Sequence, residues 1–268
     1  MLAYARTVAA MCSFMPGGRW GAFMDSGGRM ANGSARLMDS KGSWFPLGRP
    51  AARRTLERIV PAVRAAVRAS REPSVTRIAR RTRSPFKVLV STVISARTKD
   101  EVTGEASRRL YARADTPRTL AALPEGEIER LIYPAGFYRT KARSIRALSR
   151  KIVAEHGGRV PDTMEGLLSL PGVGRKTANL VLTLGFGTPG ICVDTHVHTV
   201  VNRLGVVATR NPAETESALR DVLPRRHWIE INDLLVTFGK SVCTPISPWC
   251  SICPIRRSCR RVGVTRSR

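Results

Sequence analysis

The residues best suited to chemistry lie in Leu168-Ser169-Leu170-Pro171-Gly172-Val173-Gly174-Arg175-Lys176-Thr177-Ala178-Asn179. A short helix over about Thr163 to Leu168 runs into Pro-Gly-Val-Gly, and a second helix begins near Arg175. Two glycines around one apolar residue allow a tight turn and a close backbone approach. Val173 pins the turn between the helices. The N–H groups that follow it point outward at a helix start, where an anion is favoured. A phosphodiester suits such a cradle, and the contact is blind to base sequence; an ordinary helix–helix turn would use the same residues. Lys176 falls in the first turn of the second helix, where the helix dipole disfavours a positive charge. An amine held there with little water around it can act as a nucleophile. Eighteen residues further on, Asp194 in Val193-Asp194-Thr195-His196-Val197 reads as a helix cap. The same carboxylate, facing a cleft, can stabilise positive charge developing on a sugar. His196 and His198 read as structural residues of that helix start.

A second constellation is Cys243-x6-Cys250-x2-Cys253-x5-Cys259, four thiols within seventeen residues. They can converge on one inorganic centre with little loop entropy. Zinc accepts four thiolates and suits the central C-x2-C, whereas a [4Fe–4S] cluster tolerates the wider outer spacings. The cysteines alone leave both open. Arg256, Arg257, Arg260 and Arg261 surround them with charge that could meet phosphate. Cys12 and Cys192 stand apart, and Cys192 reads as a small buried hydrophobe.

The elements that must position these groups are helical. Leu56, Ile59, Val60, Val63 and Val67 share one helical face, with Pro61 expected to start or interrupt a turn. Phe86, Val88, Leu89, Val93 and Ile94 predict a more buried helix. Ala142, Ile145, Leu148, Ile152 and Val153 predict a third that stops at Gly157-Gly158. Turns fall at Leu123-Pro124, Tyr133-Pro134, Val160-Pro161, Gly187-Thr188-Pro189 and Leu223-Pro224. No set of alternating strands is present, so the fold class is all-α. Residues 1–50 lack either period and are rich in Gly and Ser, which predicts a disordered or mis-assigned extension that folding does not require.

Across the chain 45 Lys and Arg face 20 Asp and Glu, a formal charge of +25. Such a field concentrates polyanions and points to nucleic acid. No apolar run is long enough to span a membrane, and the cysteine spacing is unlike a disulfide framework. The expected setting is the cytoplasm, at the nucleoid.

With its segments taken together, the chain resembles the endonuclease III family, helix-hairpin-helix glycosylases that carry an iron–sulfur cluster. The residues that carry the resemblance are SARTKDEV before and after Asp100, GFYRTKA at Gly136, LPGVGRKTANLVL at Leu170, VDTHVHTVVNRLG at Val193, and the cysteine spacing. The resemblance implies two lobes: a six-helix barrel over 72–188, and a cluster domain from 51–71 and 189–268. It implies that Lys176 is the catalytic lysine, that Asp194 is its aspartate, and that Cys243, Cys250, Cys253 and Cys259 hold a [4Fe–4S] cluster. Gly172, Val173, Gly174 and Arg175 would grip the DNA backbone. Two departures stand out: Arg97 replaces the family's common gap-filling glutamine, and Phe137 replaces its wedging leucine. The implied partner is double-stranded DNA with damaged bases or abasic sites, bound by a monomer. The implied reaction is removal of oxidised pyrimidines followed by β-elimination. An adenine or other mismatch glycosylase of the same fold is the alternative, and a non-catalytic DNA-binding module is a more distant one.

Overall fold

The computed structural model describes residues 46–70 and 72–268. Most of the expected N-terminal extension, and Cys12 with it, therefore lies outside the described residues. The chain is helical: α1 (Arg49–Val67), α2 (Ser74–Thr82), α3 (Pro85–Ser95), α4 (Asp100–Arg113), α5 (Pro117–Ala122), α6 (Glu125–Ile132) and α7 (Tyr138–Glu155) come first. Then follow α8 (Met164–Leu168), α9 (Arg175–Leu180), a π-helical turn (Val181–Gly185), α10 (Thr195–Leu204), α11 (Pro212–Val222) and α12 (Ile231–Ser241).

Two hydrophobic cores organise these helices. The first is built around α3, which is buried on nearly every side: Phe86, Val88, Leu89, Val90, Val93 and Ile94 are all buried. Ser84 starts this helix by accepting from the Lys87 N–H, with Pro85 at the first helical position. Helices α2, α4, α7 and α9 and the π turn pack directly on α3, and α7 contributes Ala142, Ile145, Leu148 and Ile152. Each fully buried Leu or Ile adds roughly 2 kcal/mol to the driving force. The second core joins Leu56, Ile59, Val60 and Val63 of α1 to the buried faces of α10, α11 and α12.

The fold expectation needs two corrections. An all-helical chain is what is seen among the described residues, but a six-helix barrel is not. Eight α-helices, α2 to α9, and the π turn supply the first core, and α3 occupies its middle. A helix enclosed this completely sits inside a core and does not line a barrel wall, because it has almost no face to offer solvent. The expected iron–sulfur part of the fold is also overturned, because no group of three or more His, Cys, Asp or Glu side chains among the described residues converges as metal ligands would.

Two local differences have plain causes. Helix α1 runs straight through Pro61, which lies on its exposed side. An exposed position is where a helix tolerates the missing N–H with least disturbance to its packing. The apolar run after α9 forms a π turn in which the Thr183 hydroxyl donates to the Asn179 carbonyl, 2.8 Å away. Side-chain bonding of this kind competes with the regular helical ladder.

Candidate active site

The two cores meet along a seam, and Lys176 and Asp194 face each other across it. Lys176 projects from the first turn of α9, and its side chain is 55% exposed. Asp194 precedes α10 and is only 12% exposed. Its Oδ1 accepts from the His196 and Val197 N–H groups at 2.9 and 3.0 Å. Its Oδ2 lies 3.7 Å from Lys176 Nζ. The cap fixes the carboxylate rotamer, and the second oxygen is left to address the amine. Beneath the pair, the Cys192 thiol is pushed up to about 12 by burial, with Lys176 lowering it in part. It behaves as the small hydrophobe its surroundings suggest.

Either side of Lys176, α9 is tied to the second core. Asn179 Nδ2 donates to Glu216 Oε2 at 3.3 Å, and Arg175 Nε lies 3.7 Å from the same oxygen. Glu216 is buried and also receives Arg220 Nη2 at 2.8 Å. One carboxylate thus anchors the helix that presents the lysine.

The turn ahead of α9 has the geometry of a backbone cradle. Thr163 caps α8, Leu167 and Leu170 are buried, and Val173 sits in the first core. Gly172 has φ of +76°, and a Cβ there would stand 2.8 Å from Ser144 Cβ, so glycine is required twice over. Gly174 caps α9 in extended conformation without a side-chain hydrogen bond, which leaves the first amides of α9 free of a side-chain acceptor.

Arg97 and Phe137 come together although forty residues separate them. The Arg97 guanidinium lies 5.5 Å from the centroid of the Phe137 ring, within cation–π range. Phe137 is 63% exposed, an unusual state for a large aromatic side chain. Both residues adopt left-handed backbone conformations, with φ of +51° and +57°. Neither is glycine, so each costs about 1 kcal/mol or more. His196 packs against Gly239 of α12, and His198 Nδ1 lies 2.7 Å from Thr215 Oγ1. Both histidines join α10 to its neighbours.

The cysteines do not behave as expected. Cys243, Cys250, Cys253 and Cys259 line one apolar cavity with Phe238 and Trp249. Yet no group of three or more His, Cys, Asp or Glu side chains among the described residues is disposed to hold a metal ion. The [4Fe–4S] assignment and the cluster domain are thereby overturned. The thiols pack instead: Cys243, Cys253 and Cys259 rest against the second core. Burial pushes the Cys259 thiol up to about 11 and raises that of Cys253 as well. Arg203 lies against this loop, donating to the Cys243 and Thr244 carbonyls at 3.3 and 2.8 Å.

Three residues that structure the site escaped the sequence reading: Asn179, Glu216 and Lys141. Glu216 and Asn179 carry no local signal. Lys141 had one, because only seven of the 45 basic residues are lysine. In a chain that writes its charge as arginine, a lysine marks a place where a compact ammonium is needed.

Comparison with known proteins gives this arrangement its context. The family described as HhH-GPD superfamily base excision DNA repair protein matches residues 90–225. That span takes in Arg97, Phe137, the hairpin, Lys176 and Asp194, and ends before Cys243. Endonuclease III of Thermotoga maritima is 50% identical over 175 residues, covering 65% of this chain and 82% of that protein. The chain belongs to the endonuclease III family. Endonuclease III homolog 2, chloroplastic, of Arabidopsis thaliana is 44% identical over 183 residues, but those residues are only 47% of its length. The present family member thus spans about half of that plant relative. The solved structure of a trapped endonuclease III–DNA covalent intermediate, an estranged-adenine complex, is 33% identical. It matches with a TM-score of 0.69 over 78% of this chain and 96% of that one.

Proposed function

We propose that this endonuclease III-family chain is a bifunctional DNA N-glycosylase and AP lyase. It removes oxidised pyrimidines from double-stranded DNA and cuts the strand 3′ to the resulting abasic site. The reading divides the chain into 72–188 on one side of the DNA cleft and 51–71 with 189–268 on the other. The single observation that carries the reading is the Lys176–Asp194 pair, 3.7 Å apart on the seam of a family member.

The positive surface and the amides of Gly172, Gly174 and Arg175 hold the backbone phosphates without regard to sequence, while Val173 braces the turn by donating its own N–H to the Leu170 carbonyl at 3.2 Å. Arg97 and Phe137 enter the duplex as the damaged nucleotide turns out towards Lys176. Such wedging costs a few kcal/mol of stacking, least where damage has already weakened it. Asp194 Oδ2 passes a proton from Lys176 on to solvent, directly or through one water, and is ionised again before the base leaves. The Nζ lone pair then bonds to the sugar C1′, the C1′–N bond breaks, and its electron pair leaves with the base, which picks up a proton. Asp194 stabilises the positive character that builds on the sugar. Opening of the ring gives a Schiff base, which makes the C2′ proton acidic. Loss of that proton expels the phosphate at C3′, and water releases Lys176 from the imine.

Borohydride trapping on thymine-glycol duplex tests the proposal. The wild type should form a covalent protein–DNA adduct, and Lys176→Ala should form none and lose abasic-site nicking. Folded Lys176→Ala that still nicks at the wild-type rate would sink the lyase assignment. Tight binding without turnover on either lesion would favour a non-catalytic module.

A further inference from the structure

The loops that carry Arg97 and Phe137 are held together by one buried lysine. Lys141 lies one turn into α7, and its backbone N–H donates to the Phe137 carbonyl at 3.0 Å. Its side chain turns inward and is 7% exposed. There Nζ donates to the Ile94 carbonyl at 2.7 Å, the Ala96 carbonyl at 2.5 Å and Thr98 Oγ1 at 2.8 Å. Three acceptors match the three N–H bonds of an ammonium. Two of the acceptors are carbonyls at the C-terminal end of α3, where a cation is favoured. Burial lowers the amine to about 8.

The same knot reaches the second loop. Thr98 Oγ1 also accepts from the Gly136 N–H at 3.1 Å. A Cβ at Gly136 would lie 2.4 Å from the Arg97 carbonyl, so the two loops already touch backbone to backbone. Arg97 follows Ala96 and precedes Thr98, while Phe137 follows Gly136. Ala96 and Thr98 on either side of Arg97, and Gly136 ahead of Phe137, are therefore fastened, directly or through Thr98, to Lys141. Both side chains need such fastening because their positive φ values are unfavourable for residues with a Cβ.

We propose that Lys141 is a positioning residue that fixes the spacing of Arg97 and Phe137 and so sets the efficiency with which the duplex is opened at the lesion. The inference rests on the reading above, in which these two side chains enter the DNA. An arginine could not replace the lysine here, because a planar fork does not fit three convergent acceptors. A purely stabilising lysine would affect all substrates alike, whereas a positioning lysine matters only where strands must be parted.

The test compares single-turnover cleavage of a thymine-glycol duplex with nicking of an abasic site in single-stranded DNA, which needs no opening. Lys141→Met should lower the duplex rate about 10- to 100-fold and leave the single-strand rate within about twofold. Equal loss on both substrates, or no loss on either, overturns the proposal. Thr98→Val keeps the lysine and removes the shared hydroxyl, so it decides the matter if Lys141→Met does not fold. It should slow the duplex reaction about 3- to 10-fold and spare the single strand; unchanged duplex cleavage by a folded Thr98→Val overturns the proposal. Phe137→Ala and Arg97→Ala serve as references. If neither slows duplex cleavage, it is the reading of these residues as strand-entering that fails. If they slow it and the Lys141 and Thr98 variants do not, it is the positioning role that fails.

Discussion

Asp194 turns Oδ2, the carboxylate oxygen that takes no part in its helix cap, towards Lys176. Oδ2 stands 3.7 Å from the amine, while Oδ1 is occupied by the first N–H groups of α10. Capping and catalysis thus draw on different atoms of one side chain, and substitutions can part them. Asp194→Asn keeps an oxygen for the cap and removes the charge. Its base-removal rate should fall about 100- to 1000-fold, in line with losing a group that stabilises transition-state charge. Its melting temperature should stay close to that of the wild type. Asp194→Ala loses the cap as well and should cost a further ~1 kcal/mol of stability. Thermal melts with single-turnover rates on both variants check this. A melting temperature that falls equally in both would show that the charge, not the cap, holds α10.

Gly172 gives a prediction about binding instead of chemistry. A Cβ at this left-handed position meets Ser144, so Gly172→Ala must move the hairpin. The cost to folding should be about 1–3 kcal/mol. Affinity for abasic and undamaged duplex should drop by a similar factor, because the lost contacts are to backbone phosphate. Fluorescence anisotropy on both DNAs at one salt concentration measures it. A loss confined to the damaged DNA would place the hairpin elsewhere in the mechanism.

Much of this arrangement is legible in the sequence where local chemistry and local structure coincide. The glycines of the hairpin, the cap at Asp194 and the apolar faces of α1, α3 and α7 each follow from a few adjacent residues. What escapes is long-range. Glu216 reaches Arg175 and Asn179 from another core, and nothing near position 216 announces a buried carboxylate. Lys141 hides among the arginines of an outwardly basic helix and turns inward only because the end of α3 lies there. The cysteines fail in the opposite way. Their spacing is local and suggestive, yet it fixes only how near the thiols can come. Packing against Phe238 and Leu204 decides where they lie in this structure.

Glu216 itself should be costly to remove. Its carboxylate binds Arg220 at 2.8 Å and Asn179 at 3.3 Å inside the seam. Glu216→Ala would leave a buried amide without its acceptor, a loss of about 1–3 kcal/mol. Because α9 carries Lys176, the variant should also trap less covalent adduct at equal folded concentration. Glu216→Gln, which can still accept from Asn179, should recover part of the trapping. If Glu216→Ala melts lower but traps normally, the anchor serves folding alone.

Asp233 offers a prediction in pH. It lies on α12, accepts a 2.6 Å hydrogen bond from Thr76 of α2, and thereby joins the two cores. Burial raises its carboxyl from 3.8 to about 6; Thr76 opposes the shift, and the carboxylates of Glu72, Asp100 and Asp194 add to it. The folded protein consequently holds this proton more tightly than the unfolded chain does. Between about pH 4 and 6 the folded state binds more protons, so this group's contribution to stability declines as pH rises through that window. Above it the desolvated charge remains a standing cost. Asp233→Asn removes the charge and keeps an acceptor for Thr76, so at pH 7.5 it should melt higher than the wild type, by about 3 °C for each kcal/mol recovered. The difference should shrink as the pH is lowered through 6 and vanish near 4. Thermal melts of the two proteins from pH 4 to 8 read this directly, and a gap that does not vary with pH would show that the carboxyl is not the titrating group.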